Sequence, residues 1–472
     1  MFTSFDDAMD FVGKNEIRMV DLKYTDLWGR WHHVTISTRE FTPEMMETGV
    51  GFDGSSVGFK SVKSGDMVLI PDLATGFMDP FWDSPTLSFI SNVYEADTKQ
   101  RYHRDPRAIA ERAERYLIEN KLADESIWGP ELEFYIFNRV RFENNLNTAY
   151  YQVESNEFNW NSAAGFDGYY NPIHGGYHAN PPRDRFYNLR SEMAETLEDI
   201  GIQVKYHHHE VGGPGQNEIE TPLIGLLAAA DAVMMIKYVA KMIGQESDLT
   251  VTFLPKPLYG EAGNGMHFHQ LLKKSGRNLF YDPRSPNLLS QMALYYIGGL
   301  LTHAPALLGL TNPNTNSYRR LVPGYEAPVN CFFSSGNRSA AIRVPKYATE
   351  PEKVRFEFRP PDATCNPYLA EAAMLMAGID GIKRKIDPVS AGFGPIDDDI
   401  FSWDPEKRST IQSLPTTLGE AIKALESDHQ FLLEGGVFDI ELIKDWIKAK
   451  QSEDLQVRSR PHPYEIELYY DV

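Results

Sequence analysis

Cysteine is scarce in this chain, because its 472 residues include only Cys331 and Cys365. Two cysteines cannot build the disulfide framework of a small secreted protein, so we expect a reducing compartment. The first residues, Met1 to Asp7, lack the basic and apolar regions of a signal peptide. The most apolar stretch, Leu223 to Ile236, is too short to span a bilayer and contains Asp231. These absences predict a cytoplasmic protein without a membrane partner.

Net positive charge is also absent, since the formal net charge at pH 7 is −20. Such a chain repels polyanions, which argues against a nucleic-acid partner but leaves room for a phosphate held by a local arginine cluster. The P-loop pattern, the protein-kinase motifs and the Rossmann fingerprint are missing from the sequence. Any ATP would therefore have to be held mainly by metal ions and arginines.

The length of the chain predicts one large unit and a smaller domain, because a single small core does not grow to this size. Asp105-Pro106 is typical of a helix start, with a capping residue followed by proline at the first helical position. We place the domain boundary just before it, which gives domains of residues 1–103 and 104–472. From Ile127 onward strand-like segments alternate with longer helical patterns, which favours an α+β fold.

Shorter patterns predict individual elements. Ser4 to Asp7 resembles a capping box that opens a helix ending near Gly13, and Thr417 to Glu420 resembles a second one. The runs Ile17–Tyr24 and Trp31–Ile36 are rich in β-branched and aromatic residues and predict strands. Between Asn144 and Pro182 periodicity is weak, which predicts a long loop that is either functional or disordered.

The clearest chemical pattern is Glu131-Leu132-Glu133-Phe134-Tyr135-Ile136. Since a strand sends alternate side chains to opposite faces, both glutamates share one face and the residues between them take the core face. The two Cα atoms would lie about 6.6 Å apart, which is twice the strand rise. A half-buried strand with a solvated acidic face is the alternative interpretation of this run alone.

The same alternation recurs in several segments that pair acids, histidines or arginines with apolar residues. These segments are Arg355 to Arg359, Met266 to His269, His208 to Glu210 and Asn217 to Glu220. Together they predict a sheet or open barrel with one polar, functional face. An unpaired buried carboxylate costs several kcal/mol (about 3–5), so clustered acids need cations. Oxygen ligands with few histidines suit Mg²⁺ or Mn²⁺, and His267 as a nitrogen donor favours tolerance of Mn²⁺.

A second, cationic pattern follows further along the chain. Its members are Arg319, Arg320, Arg338, Arg343, Arg355 and Arg359. Scattered arginines usually form surface salt bridges. Here they interleave with Glu357, and the planar guanidinium binds carboxylate and phosphate oxygens with two hydrogen bonds. Acids that hold metals beside arginines that stabilise charge are what phosphoryl transfer requires.

These motifs, taken in order, resemble those of type I glutamine synthetases over essentially the whole chain. The matching segments are Phe52 to Ser56, Gly129 to Phe134, His208 to Val211, Gly215 to Glu218, Asn264 to His267, Arg320 to Pro328, Asn337 to Ser339 and Arg355 to Pro360. The resemblance implies a β-grasp N-terminal domain and a larger catalytic domain with a curved antiparallel sheet flanked by helices. It also implies a dodecamer with active sites between neighbouring subunits.

The resemblance also implies the metal ligands. By family position, Glu133, Glu210 and Glu218 would hold one ion. Glu131, His267 and Glu357 would hold the other.

The implied reaction joins ammonia to the γ-carboxylate of glutamate through γ-glutamyl phosphate, with ATP as the phosphoryl donor. By resemblance, residues of two kinds bind the substrates: Gly263, Arg320, Glu326 and Arg359 for glutamate, and His269, Arg338, Arg343 and Arg355 for the nucleotide. Asp53 of an adjacent subunit would deprotonate ammonium, with Ser56 beside it. Glu326 would lie on a flap that closes over the intermediate. Asp53, Glu326 and Arg338 are thus the implied catalytic residues.

Three residues depart from the family pattern. Ala262 stands where the family usually has Asn, Leu271 where many members have Ser, and Lys205 replaces a glutamate that commonly contacts ATP. The adenine and ribose contacts therefore stay open. Two alternatives also stay open: a γ-glutamyl ligase of the same fold that uses a polyamine or another amine, and a catalytically inactive relative with a structural role.

Overall fold

The computed structural model describes residues 2–60, 65–160, 168–325, 327–398 and 400–472. Its strands are β1 (Met19–Thr25), β2 (Trp31–Ser37), β3 (Val50–Asp53), β4 (Asp66–Pro71), β5 (Phe77–Met78), β6 (Thr86–Glu95), β7 (Glu125–Phe137), β8 (Arg139–Asn144), β9 (Ala149–Glu154), β10 (Tyr206–His209), β11 (Gln216–Glu220), β12 (Ile224–Gly225), β13 (Thr250–Thr252), β14 (Met266–Lys274), β15 (Arg277–Asn278), β16 (Asn330–Ser334), β17 (Ala340–Arg343) and β18 (Phe356–Phe358). Its α-helices are α1 (Phe5–Lys14), α2 (Pro43–Thr48), α3 (Pro106–Glu119), α4 (Tyr187–Asp199), α5 (Leu226–Glu246), α6 (Gln291–Thr311), α7 (Ser317–Arg320), α8 (Pro367–Arg384), α9 (Pro405–Arg408), α10 (Leu418–Ser427), α11 (Gln430–Leu433), α12 (Ile440–Arg458) and α13 (Pro463–Tyr469).

The N-terminal part is a small sheet covered by α1. Its strand order is β2-β1-β6-β4-β3, with β5 on β6. β1 runs antiparallel to β2 and parallel to β6. Its own apolar cluster includes Val20, Leu22, Leu69, Leu87 and Phe89, all buried. This is the β-grasp arrangement expected for the first domain.

The larger sheet positions the polar face predicted from the alternating segments. Its main path is β10-β11-β7-β14-β18-β17-β16. Leu132, Phe134 and Ile136 of β7 are buried in the main apolar core, as predicted for the core face. β16 pairs with β17 in parallel, so the expectation of an antiparallel sheet needs correction at this edge. The α+β class and the curved sheet flanked by helices are confirmed.

The long apolar helix α6 corrects the prediction that Leu223 to Ile236 is the most apolar stretch of the chain. Residues Gln291–Thr311 are long and apolar enough to cross a membrane, and they exceed the stretch at Leu223. Most of the helix is buried inside the structure, where it packs against α8 and α10. Its composition is thus that of a core helix, in which every face is covered by protein.

Several local predictions can be compared with the elements. Ser4 caps α1 and Thr417 caps α10, each accepting a hydrogen bond from a backbone N–H at 3.1 Å. Asp105 caps α3 and Pro106 is its first residue, as predicted for this helix start. The predicted loop from Asn144 to Pro182 is wrong in part, because 149–154 form β9 and pair with β8.

A buried histidine joins three helical segments of the larger domain. His303 of α6 lies 2.7 Å from the Asp428 carboxylate through Nδ1 and 2.9 Å from Asp380 through Nε2. Its ring stacks on Phe431 at 4.0 Å between centroids. Burial opposes the charged form, but the hydrogen bonds to Asp380 and Asp428 outweigh it and raise the pKa of His303 above its usual value.

We expect Asp428→Asn to destabilise the fold more at pH 6 than at pH 9. The raised pKa of His303 means that its stabilisation is complete below the unfolded pKa of about 6.5 and is lost as the pH rises through the folded pKa. The expected loss is about 1–3 kcal/mol at pH 6, the usual range for a hydrogen bond to a charged group. Urea unfolding at both pH values measures it, with Glu426→Gln on the same helix as control. An equal effect at both pH values would contradict the account.

Candidate active site

A cavity of about 1010 Å³ opens on the polar face of the large sheet. Ten of the residues predicted from the sequence line it: Glu131, Glu133, Glu210, Glu218, Gly263, His267, Arg320, Arg338, Arg343 and Arg359. His269, Arg355 and Glu357 lie in the layer beneath and contact lining residues. Glu326 lies outside the described residues.

The register of three antiparallel strands brings the acids together. Glu218 of β11 pairs with Glu133 of β7, and Glu220 pairs with Glu131. On the other side of β7, Glu131 pairs with His267 of β14. Residues that are directly opposite on neighbouring strands share a face and lie about 4.5–5.5 Å apart. Segments distant in sequence therefore converge on one spot.

One group of possible metal donors consists of His208, Glu210 and Glu218, whose ligand atoms lie within 4.8 Å of one another. The His208 Nε2 atom is 3.2 Å from the Glu218 carboxylate. Burial and the negative charges of Glu131, Glu210 and Glu133 raise the pKa of Glu218 well above its usual range. Such a carboxylate lacks a cation, and a divalent ion would supply one.

A second group consists of Glu131, Glu133 and His267, again within 4.8 Å. His267 Nδ1 lies 3.1 Å from a Glu131 oxygen. A Glu133 oxygen accepts a hydrogen bond from the Gly265 N–H at 2.5 Å. Both groups offer carboxylate oxygens and imidazole nitrogens and no thiol, which suits Mg²⁺ or Mn²⁺.

A third group, Glu131, Glu220 and His269, lies below the second. His269 Nε2 is 3.5 Å from Glu131, and neither ring nitrogen has a hydrogen-bond partner within the described part of the chain. One buried carboxylate oxygen of Glu220 also has no hydrogen-bond partner within the described residues. Buried polar atoms are almost always satisfied, so these orphaned atoms fit a bound ion or substrate.

Glu357 has a different environment from the other acids. It forms ion pairs with Arg359 at 2.5 Å and Arg343 at 2.9 Å. Burial opposes its ionisation, but the charges of Arg359, His269 and Arg343 lower the pKa of Glu357 to about 2. Its carboxylate is therefore ionised and already paired with cations.

One end of the cavity is shaped by a glycine and an arginine. A Cβ atom at Gly263 would lie 2.4 Å from the Pro255 carbonyl oxygen and 2.9 Å from Arg320 Cγ, so only glycine fits there. Arg320 is buried and donates to the Pro360 and Arg359 carbonyl oxygens at 2.7 and 3.2 Å. Its guanidinium is thereby fixed in orientation.

The three departures from the family pattern have distinct environments. Lys205 lines the cavity and donates to Glu220 at 2.7 Å. Ala262 also lines it, and its carbonyl oxygen accepts from the Tyr135 hydroxyl at 2.8 Å. Leu271 is buried in the main core and does not face the cavity.

The sequence motifs assign no role to His208, which lines the cavity, or to Glu220, which lies close to Glu131 and His269. Both belong to alternating segments, so the period-two pattern could have found them. Tyr177, Tyr206 and Tyr347 also line the cavity, and their rings are suited to contact a nucleotide base. These tyrosines lie in loops or at the end of an edge strand, where no periodicity marks them.

Asp53 stands apart from this cavity. It is exposed at the end of β3 and does not line the cavity described above. Its carboxylate accepts hydrogen bonds from the Ser55 and Ser56 hydroxyls at 2.7 and 2.8 Å. The hydrogen bonds from Ser55 and Ser56 lower the pKa of Asp53, so it is ionised near neutral pH.

Comparisons with known proteins cover both parts of the chain. The family model described as glutamine synthetase, beta-Grasp domain, matches residues 16–96, and the one described as glutamine synthetase, catalytic domain, matches residues 103–469. Proteins named glutamine synthetase from Frankia alni and Aquifex aeolicus are each 46% identical, over 100% and 99% of both chains. A cryo-EM structure of Plasmodium falciparum glutamine synthetase superposes with a TM-score of 0.89 at 28% identity, covering 99% of each chain.

We expect Glu218→Gln to lower the affinity for Mn²⁺ at least tenfold (about 1.4 kcal/mol), because it removes a charged donor from the first group of acids. Isothermal titration of Mn²⁺ into the purified protein measures this. Glu195→Gln, an exposed glutamate on α4, is the control and should bind as the wild type does. Unchanged affinity in Glu218→Gln would remove that residue from the metal site.

Proposed function

The chain belongs to the glutamine synthetase family and joins ammonia to the γ-carboxylate of glutamate with ATP as the driving reagent; from this premise we propose how its residues divide the work. The observation that carries the proposal is the meeting of buried acids and arginines in one cavity. The acids would repel the phosphates of ATP unless metal ions were bound between them. The arginines bind phosphate oxygens directly but do not neutralise all of the acids. Both together suit a metal–phosphate complex.

The reaction has two steps. An oxygen of the glutamate γ-carboxylate attacks the γ-phosphorus of ATP, and the bond to ADP breaks to give γ-glutamyl phosphate. The ammonia nitrogen then attacks the acyl carbon, and phosphate leaves with the electron pair of the C–O bond. Divalent ions, when bound, neutralise the phosphate oxygens and hold them in place. The protein residues orient the substrates and move the proton of ammonium.

We assign Glu133, Glu210 and Glu218 to one divalent ion, and Glu131, His267 and Glu357 to the other, with Mg²⁺ or Mn²⁺ as the ion. The nearness of Glu210 to Glu218 and of Glu131 to His267 supports this division. Glu133 lies close to Glu131 and His267 and pairs with Glu218 across the strands, so it would stand between the two ions. Glu357 is assigned by family position, and His269, 3.5 Å from both Glu131 and Glu357, lies between those two acids.

The arginines are assigned to the two substrates. Gly263, Arg320 and Arg359 hold glutamate, and the fixed orientation of the Arg320 guanidinium supports that role. His269, Arg338, Arg343 and Arg355 serve the nucleotide. Arg338 and Arg343 line the cavity directly, whereas Arg355 lies against Tyr347, 5.6 Å from its ring centroid.

Asp53 is assigned to ammonium deprotonation in the active site of a neighbouring subunit, with Ser56 beside it and Glu326 on the flap. Its ionised carboxylate and its position away from its own cavity support a role in trans. Closure of the flap would exclude water, which otherwise hydrolyses the acyl phosphate.

The assembly is assigned as a homo-oligomer, most simply the dodecamer of the family. The C-terminal helix α13 supports it, since Tyr464, Ile466, Tyr469 and Tyr470 are each more than half exposed there. A run of exposed large apolar residues indicates a protein contact.

We further place the domain boundary after residue 103 and the protein in the cytoplasm, without a nucleic-acid or membrane partner.

We expect ammonium to be the preferred amine. Asp53, Ser56 and Glu326 are retained, and they suit a small cation that must lose a proton. ADP release measured with ammonium, putrescine and ethanolamine decides between ammonia and a larger amine. Little turnover with ammonium and good turnover with either of the others would overturn the assignment.

We expect two inactive variants to restore activity when they are assembled together. Asp53→Asn removes the residue supplied in trans, and Glu357→Ala removes one supplied within the subunit. An active site between subunits is intact in about one quarter of random pairings, so an equal mixture should recover roughly a quarter of wild-type activity.

Each variant alone is the control, and light scattering verifies that both still assemble. Recovery is measured as glutamine formed after the variants are dissociated, mixed and reassembled. A mixture no more active than its components would contradict an active site shared between subunits, and full activity of Glu357→Ala alone would remove Glu357 from the site.

A further inference from the structure

We propose that a second cavity, between the β1–β2 turn and the helices of the catalytic domain, binds a small organic anion with two or more negative charges and a flat apolar body. This basic cavity has a volume of about 550 Å³. Its charged lining residues are Arg30, Lys237, Lys241, Lys450 and Glu453. None of these residues lines the catalytic cavity, so the two sites are separate.

Positive charge in this basic cavity exceeds negative charge. Lys450 forms an ion pair with Glu453 at 2.8 Å. Arg30, Lys237 and Lys241 form no ion pair with any carboxylate in the described part of the chain. Three uncompensated cations on one small surface are unexpected in a chain with a net charge of −20.

The excess of positive charge in the basic cavity affects Lys237 most clearly. Its Nζ atom donates to the Ala363 carbonyl oxygen at 2.8 Å. Burial, together with the neighbouring charge of Lys241, lowers the pKa of Lys237 to about 8. The negative charge of Asp362 opposes this lowering in part, but Asp362 forms no ion pair with Lys237 and instead accepts hydrogen bonds from Thr364 and Asn312. A bound anion would supply the missing negative charge.

Most of the remaining walls are aromatic or apolar, apart from Asn314 and Thr364. Trp28 stacks on Trp446 at 5.2 Å between ring centroids, and Trp31 contacts Tyr238 at 5.7 Å. Met234 and Pro313 complete the apolar lining. A cavity of this size falls within the range that drug-sized ligands occupy, and an inorganic phosphate would fill little of it. The walls therefore suit a ligand with a ring or another flat body attached to its charged groups.

Trace acetylation of the full-length assembled protein tests the proposal at the residues concerned. Mass spectrometry reports the labelling rates of Lys237 and Lys241, with the exposed Lys14 and Lys448 as references. The probes are adenosine 5′-monophosphate, citrate and pyrophosphate, each compared with sodium chloride at equal ionic strength. Binding in the catalytic cavity does not interfere, because the readout is specific for lysines outside it.

We expect adenosine 5′-monophosphate to slow labelling of Lys237 and Lys241 fivefold or more, while citrate and pyrophosphate protect less and the references keep their rates. No protection by adenosine 5′-monophosphate beyond that of sodium chloride would overturn the proposal. Equal protection by citrate or pyrophosphate would overturn the apolar part of it.

A variant provides the matched test. Lys241 is exposed, so Lys241→Met should fold normally. It should raise the probe concentration for half-protection of Lys237 at least tenfold. Lys448→Met, which removes an exposed lysine outside the cavity, should leave that concentration unchanged. Identical protection in both variants would contradict the proposed site.

Discussion

The structure depends on negative charge that is collected on one face of a buried sheet. Register places Glu218 opposite Glu133 and Glu220 opposite Glu131, so the acids face one another in pairs. Buried like charges at these distances repel strongly, and the raised pKa of Glu218 is the visible result. Cations bound in this cluster would relieve the repulsion and let all of the acids stay ionised. Divalent ions and the phosphates that they bind follow from this constraint.

On the same face, another buried carboxylate is neutralised by arginines of the chain instead of by bound metal ions. Glu357 is compensated by Arg359 and Arg343 within the chain, and its pKa is low. The acids on β7 and β11 have few such partners. The face therefore has an arginine-compensated side and a side that requires ions, and a triphosphate that spans both sides would contact arginines and metals together. We therefore place the glutamine synthetase reaction at the boundary between these two sides of the sheet.

Much of this was predictable from local sequence patterns. The period-two alternation of Glu131 to Ile136 predicts which side chains share a face, because the strand geometry is local. The caps at Ser4, Asp105 and Thr417 predict helix starts for the same reason. The family resemblance adds the residue roles, and the confirmed family accounts for the agreement of the motifs in order.

The remainder depends on contacts between distant segments. The sequence cannot show that Glu131 lies opposite Glu220 and His267, since the pairing register of β7, β11 and β14 is a tertiary property. His208 and Glu220 lie in segments whose alternation the sequence shows, but only the register places their side chains beside the other acids. Composition alone also did not reveal that α6 is a core helix, because burial by α8 and α10 is again a long-range contact.

The most direct test of the account is a crystal structure of the assembled protein with Mn²⁺, glutamate and a non-hydrolysable ATP analogue, recorded with anomalous scattering from manganese. The account predicts at least two manganese peaks in the catalytic cavity, each about 2.1 Å from carboxylate oxygens, between those carboxylates and the phosphates of the analogue. Phosphates bound by arginines alone, with no manganese beside Glu131, Glu133 or Glu218, would contradict it.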